Sequence, residues 1–189
     1  NRWLADAGAD QVRVLEGADL DLGVAKGASY YGMVKRGQGV RIRGGLANSF
    51  YVGVESSMPA IPGMEPSIEA LCIAPFGLEE GAQVQAGEQS FGLVVGEPAY
   101  FRFFGSSTRH QDVPGALLSD WSEGELIELP SIKVELAATD RGVGDVLPVR
   151  LTASVTEIGT LKLEALALNA DGSTNESQRW QVELDVREA

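Results

Sequence analysis

Apolar and polar residues alternate along most of this chain from residue 49 onward. The period of two is clearest in the stretches SFYVGVE, AYFRFF, IKVEL, VRLTASV, TLKLEALAL and WQVELDV. Successive side chains of a strand lie on opposite faces, so this alternation is typical of antiparallel strands with one buried and one solvent-facing side. Turns rich in Gly, Pro, Asp and Asn separate the stretches. The pattern predicts a mainly β protein, an antiparallel β-sandwich of seven or eight strands.

The first 37 residues follow a different pattern and are predicted to be helical. Small residues are closely spaced in this part, with Gly23, Gly27 and Gly32 in one predicted helix. Each glycine lowers intrinsic helix stability by about 1 kcal/mol relative to alanine, which favours a helix whose backbone packs closely against another element. The change of period divides the chain into a helical segment (1–37), a basic, glycine-containing linker (38–48) and the sandwich (49–189).

The loop at residues 56–67, SSMPAIPGMEPS, is unusual because it is long and carries apolar side chains. Loops of this kind are uncommon unless they bind a ligand or cover a core. Met58, Ile61 and Met64 are therefore candidate peptide-binding residues, since flexible Met side chains adapt to varied partners. The alternative is that the same residues fold back onto the sandwich core. A second long irregular segment follows at residues 106–125.

Charge and residue usage exclude several classes of function. The 189 residues carry a formal net charge of −12, which repels nucleic-acid phosphates and acidic membranes. No apolar run approaches the roughly 18 residues of a membrane span. The single Cys72 lies in the apolar run IEALCIA, which predicts a buried thiol and agrees with a reducing, cytoplasmic compartment. His110 is predicted to be a surface residue, and an acid pair formed by Asp112 and Asp120 is a minor hydrolase alternative.

Three stretches, in order, resemble one known family, the DnaK-type heat-shock chaperones. DLDLGVAKGAS resembles the last helix of the family's nucleotide-binding domain, with matches at Asp21, Val24, Ala25, Gly27 and Ala28. VRIRGGLANSFYVGVE is similar to the interdomain linker and first substrate-domain strand, with matches at Ser49, Gly53, Val54 and Glu55. LPVRLTASVTEIGTLKLEALA looks like a late hairpin, with matches at Val149, Leu151, Glu157, Gly159, Leu161 and Ala165.

The resemblance implies the end of an actin-like ATPase domain followed by a β-sandwich similar to the family's substrate-binding domain. It implies that Asp21 lies near the adenosine of bound ATP, and that the full-length protein is an ATPase. This fragment itself is expected to hold no cofactor or metal and to catalyse no reaction. The basic linker departs from the acidic, leucine-rich linker of the family, which indicates a divergent relative.

The expected function is that of a stress-response chaperone module that binds extended or unfolded polypeptide, with co-chaperones as further partners. The alternative is a docking module for one dedicated protein partner, without peptide-clamp activity.

Overall fold

A computed structural model describes residues 2, 6–8, 21–40, 44–56, 63, 66–135 and 142–186 of the chain. The chain divides into two compact units, Asn1–Ile42 and Arg43–Ala189. The described part is mainly β, with one helix followed by two antiparallel sheets. The predicted fold class, an antiparallel sandwich preceded by a short helix, is therefore confirmed.

The first unit contains the helix α1 (Gly23–Lys35). None of its residues is buried, and a side chain added at Gly23, Gly27 or Gly32 would meet no atom of the structure within 4 Å. A hydrogen bond links this helix to the chain that follows it: the Val40 N–H donates to the Tyr30 hydroxyl oxygen at 2.9 Å. Residues 9–20, part of the segment predicted to be helical, lie outside the described residues.

The described residues of the second unit form ten strands, numbered in chain order. The first sheet has the strand order β6-β2-β1-β5-β7. Its strands are β1 (Ser49–Glu55), β2 (Ile68–Ala74), β5 (Pro98–Ser106), β6 (Leu117–Leu118) and β7 (Ile127–Glu135). All of its neighbouring strands pair in the antiparallel sense.

The second sheet has the order β10-β9-β8-β3, and β4 pairs with the N-terminal half of β8. Its strands are β3 (Gln83–Gln85), β4 (Phe91–Val94), β8 (Val146–Val155), β9 (Thr160–Leu168) and β10 (Thr174–Asp185). Residues 156–159 form the hairpin turn that joins β8 to β9, with the Thr156 N–H donating to the Thr160 carbonyl. Gly159 has φ +78° in this turn, a backbone conformation that glycine adopts at little cost.

The main core lies between the two sheets and is formed by the inward positions of the alternating strands. In β8 every second residue from Leu147 to Val155 is buried, as the period of two requires. These side chains pack in one cluster with the first sheet's inward residues Phe50, Val52, Ile73 and Phe103. The core extends into the stretch predicted as linker, because Leu46 belongs to it and its N–H donates to the Leu78 carbonyl.

The outer face of the first sheet is covered over β1 and β2, so the expectation of one wet face is wrong for these two strands. Residues 107–126, which we call the strap, cross this face and bury a second, smaller cluster. Tyr51, Cys72 and Phe104 lie beneath it, and Tyr51 and Cys72 are completely buried. The strap is attached by main-chain bonds, since Cys72 donates to Ala116 and accepts from Gly115.

Candidate functional site

A cavity of about 520 Å³ opens at one end of the sandwich, between the two sheets. Its first-sheet walls are residues 52–55 of β1 and 98–101 of β5. Its second-sheet wall consists of apolar side chains of β4 and β8: Phe91, Leu93, Val149 and Leu151. The cavity is thus an opening into the main hydrophobic core, lined mostly by nonpolar side chains.

The cavity exists because β1 and β5 stop pairing partway along their length. Their ladder runs from Ser49–Ser106 to Val52–Phe103 and ends there. Beyond that point β1 pairs only with β2, and β5 pairs only with β7. Burial follows the same division, since Phe50 and Phe103 are each 1% exposed whereas Val54 and Phe101 are only partly buried. We call the opening between residues 53–55 and 98–101 the β1–β5 gap.

Exposed apolar side chains continue the cavity lining onto the surface. Val94 at the end of β4 pairs with Val146 at the start of β8, and they are 40% and 63% exposed. Tyr100, on the other side of the opening, is 65% exposed. Single exposed apolar residues are ordinary, but a group of them at the mouth of an apolar cavity is typical of a binding surface.

The charges at this opening are negative. Glu55 and Glu97 line it, and neither has a hydrogen bond or ion pair with any described residue. The neighbouring cations are engaged: Arg102 donates to both carboxylate oxygens of Glu128, at 2.7 and 2.8 Å, and the Lys133 ammonium lies over the Tyr100 ring. The opening therefore favours a ligand that is apolar in part and carries positive charge.

The sequence-predicted site residues relate to this cavity in different ways. Met58, Ile61 and Met64 lie outside the described residues. The loop that carries them starts and ends beside the cavity, because Glu55 lines the cavity and the Ser56 N–H donates to the Ser67 carbonyl at 2.8 Å.

Asp21, the predicted nucleotide neighbour, lies in the other compact unit, exposed, in the turn before α1. Its predicted proximity to adenosine stays a prediction.

The sequence pattern does not predict the strand β4, and it predicts AYFRFF of β5 as a strand without assigning it to a site. The strand β4 has only four residues, too few for a period to stand out. A signal was nonetheless present in AYFRFF, because Tyr100 occupies a position where the alternation calls for a polar, solvent-facing residue.

A second polar site lies under the strap, where three side chains form a connected network. The Tyr51 hydroxyl donates to Asp112 Oδ2 at 2.6 Å, and Arg109 Nε donates to the same oxygen at 2.7 Å. Arg109 Nη2 donates to Asp112 Oδ1 at 3.2 Å. Burial opposes the charged form of Asp112, but the hydrogen bonds from Arg109 and Tyr51 outweigh it and lower the pKa of this carboxyl. Burial and the bond to Asp112 raise the pKa of Tyr51.

This network holds Asp112 as an ionised carboxylate that fastens the strap to β1. Cys72 and His110, the other potentially reactive residues nearby, also make packing and hydrogen-bonding contacts within the fold. Burial raises the pKa of Cys72 to about 12, so the thiol is protonated, and its predicted burial is confirmed. His110 is exposed, as predicted; its ring stacks on Phe76 with centroids 4.0 Å apart, and its Nε2 lies 2.7 Å from the Ser107 carbonyl oxygen.

The lowered pKa of Asp112 predicts an acid-dependent contribution to stability. A group whose folded pKa lies below its unfolded value stabilises the protein above the unfolded pKa, about 4, and loses this effect as the pH falls through the folded pKa. The variant Asp112→Asn is therefore expected to be less stable than the parent at pH 7, with the difference shrinking as the pH falls below about 4. Urea unfolding midpoints of both proteins between pH 7 and pH 3 measure this; a difference that is constant over the range contradicts it.

The described residues form neither of two further kinds of site, a metal centre and a membrane-spanning helix. No three of their His, Cys, Asp or Glu side chains come together in a group that could hold a metal ion. Within the same residues no helix has both the length and the apolar character needed to cross a membrane.

Comparison with known proteins identifies no family: no protein-family model matches the chain, and no curated protein matches it. The resemblance to DnaK-type chaperones rests on the three sequence stretches alone.

Proposed function

We propose that the sandwich is a polypeptide-binding module that holds an extended, partly apolar segment at the cavity between β1, β4, β5 and β8. The observation that carries the proposal is the opening itself: a cavity of about 520 Å³ lined mostly by nonpolar side chains, with exposed apolar residues at its mouth. This volume falls in the range of about 300 to 1,000 Å³ that small ligand sites occupy. The carboxylates of Glu55 and Glu97, neither paired with a described residue, supply the few polar groups that orient a ligand.

The sequence resemblance gives this proposal its wider setting. In a divergent DnaK-type chaperone the module would hold unfolded or extended polypeptide in the cytoplasm, with affinity set by ATP bound to the preceding domain. Co-chaperones would be further partners, and the isolated fragment would bind peptide without hydrolysing ATP. The loop carrying Met58, Ile61 and Met64 would add contacts to the bound segment, since both of its ends lie beside the cavity.

Peptide binding by the 189-residue chain tests the proposal. Fluorescence anisotropy is measured with labelled nonapeptides of lysine and valine, and saturable binding in the micromolar range is expected. The double variant Val94→Ser/Tyr100→Ser is expected to bind at least about tenfold more weakly, because it removes apolar area from the mouth, at about 25 cal/mol per Å². Both residues are exposed, so the fold should tolerate the change.

A matched control is available at the opposite end of the sandwich. Ile158 is 70% exposed in the turn between β8 and β9, far along β8 from the cavity, and Ile158→Ser should leave peptide affinity unchanged. If no peptide of the panel binds, or if Ile158→Ser weakens binding as much as the double variant, the proposal is wrong.

A docking module for one dedicated partner is the second candidate, and a specific observation favours it. The strap covers β1 and β2 and itself carries exposed apolar residues: Val113 and Leu117 are 63% and 44% exposed. Under this alternative, serine at Met58 and Met64 leaves capture of the partner intact. Under the peptide-binding proposal the same change sharply lowers peptide affinity.

A further inference from the structure

The β1–β5 gap has two strand edges facing one another without pairing. In a strand the N–H and C=O groups of successive residues point alternately to the two sides. Residues 53–55 are paired only on their β2 side, and residues 98–101 only on their β7 side. Main-chain groups on the other side of both strands therefore border the cavity, where β1 and β5 pair with no described strand.

Unpaired strand edges are templates for another extended chain, because they offer a row of donors and acceptors at strand spacing. At most sheet edges one such row is available; here two rows border the same opening. The gap is closed at its inner end, because a Cβ at Gly53 would lie 3.4 Å from the Arg102 Cβ of β5, so the space for another chain lies beyond Gly53.

Resting on the proposed function, we infer that the bound segment enters the first sheet as an added strand between β1 and β5. Its main chain pairs with the gap-facing groups of residues 54–55 on one side and of residues 98–101 on the other. Because β1 and β5 are antiparallel to each other, the inserted strand runs antiparallel to one and parallel to the other. At this point the first sheet would contain one parallel and one antiparallel pair, and the ligand would fill the space where β1 and β5 do not pair with each other.

Insertion as a strand dictates the side-chain pattern of the ligand. Every second side chain would point between the sheets, onto Phe91, Leu93 and Val149. The intervening side chains would face outward, beside Glu55. Because the carboxylates of Glu55 and Glu97 have no described partner, basic residues suit the outward positions. The occupant is therefore an extended segment in which apolar residues alternate with Lys or Arg.

Two peptides of the same composition test this pattern. One nonapeptide alternates lysine and valine; the other contains the same residues with all the valines in one block. The alternating peptide is expected to bind the 189-residue chain at least about fivefold more tightly by fluorescence anisotropy, because only it places its valines on one face of a strand. Equal affinity, or preference for the block peptide, overturns the inference.

Replacing peptide amides by esters tests the main-chain bonds, because an ester lacks the N–H donor and keeps the side chains. Two alternating peptides are compared, one with two esters at odd positions and one with two at even positions. Insertion between two strands uses N–H groups on both sides, so each is expected to bind about tenfold more weakly. Weakening in only one series indicates pairing with a single strand, and weakening in neither indicates side-chain contacts alone; both overturn insertion.

Hydrogen exchange of the protein gives an independent readout. The gap-facing amides among residues 54–55 and 99–101 are expected to exchange at least about tenfold more slowly with the alternating peptide bound, whereas those of Gln83–Gln85, in a strand away from the gap, stay unchanged. Peptide binding without this protection contradicts the inference and leaves the proposed function standing. Absence of binding by every peptide removes the proposed function and the inference together.

Discussion

Replacing Asp112 by alanine is expected to lower the free energy of unfolding by about 2 to 4 kcal/mol. The change removes the shared acceptor of Tyr51 and Arg109, and it leaves the hydroxyl of a completely buried tyrosine without its partner. Loss of one partner from a buried polar network costs about this much, because the remaining groups keep their desolvation penalty without the bond. Urea unfolding followed by tryptophan fluorescence measures the effect, since Trp121 of the strap packs near Phe104.

Two further variants separate the network from a general effect of the strap. Tyr51→Phe removes one hydrogen bond to a charged group and leaves the Arg109–Asp112 pair, so a smaller loss of about 1 to 2 kcal/mol is expected. Asp120→Ala changes an exposed aspartate of the same strap, with no bond to a described residue, and should stay within about 0.5 kcal/mol of the parent. If Asp120→Ala is as destabilising as Asp112→Ala, the network is not the cause.

The long strands of the sandwich could be predicted because their pattern carries the whole signal. In TLKLEALAL the apolar residues Leu161, Leu163 and Ala165 are buried, and their partners in the β8–β9 ladder are Val155, Ala153 and Leu151. Both strands bury the face that the alternation indicates. The turn between them has the length and the glycine of a hairpin.

The strap could not be predicted, because its effect depends on contacts far apart in sequence. Tyr51 occupies a solvent-facing position in the alternation of β1, yet it is completely buried by a segment 60 residues later. The strap itself shows no period, since its only strand has two residues. Tertiary packing decides which segment covers the second face of a sheet, and the local sequence pattern does not report it.

The β1–β5 gap escaped prediction for a related reason. The alternation of β1 continues without change from Phe50 through Val54, although its pairing with β5 ends at Val52. A period of two reports which face a side chain occupies, and it does not report which neighbouring strand continues beside it. That Ser56 and Ser67, the two ends of the candidate loop, lie next to the opening became evident only from the ends of β1 and β2.

Replacing Gly115 by alanine is expected to destabilise the sandwich by about 2 to 5 kcal/mol. Gly115 has φ +88°, which costs an L-residue about 1 to 2 kcal/mol. In addition, its new Cβ would lie 2.5 Å from the Cα of Gly87 and 2.7 Å from its nitrogen. Both are backbone atoms just beyond β3, so relief requires the strap to move away from the second sheet. Overpacking of this kind adds about 1 to 3 kcal/mol.

Gly124→Ala is the matched control, because Gly124 lies in the same strap and has nearly the same φ, +86°, but no atom within 4 Å of an added Cβ. This variant isolates the cost of the positive φ, so the free energy of unfolding is expected to fall by about 1 to 2 kcal/mol. The difference between the two variants in urea unfolding therefore measures the contact between Gly115 and Gly87 alone, and should be at least about 1 kcal/mol. Equal losses would mean that the strap does not approach β3 so closely, because then only the shared positive φ would be felt.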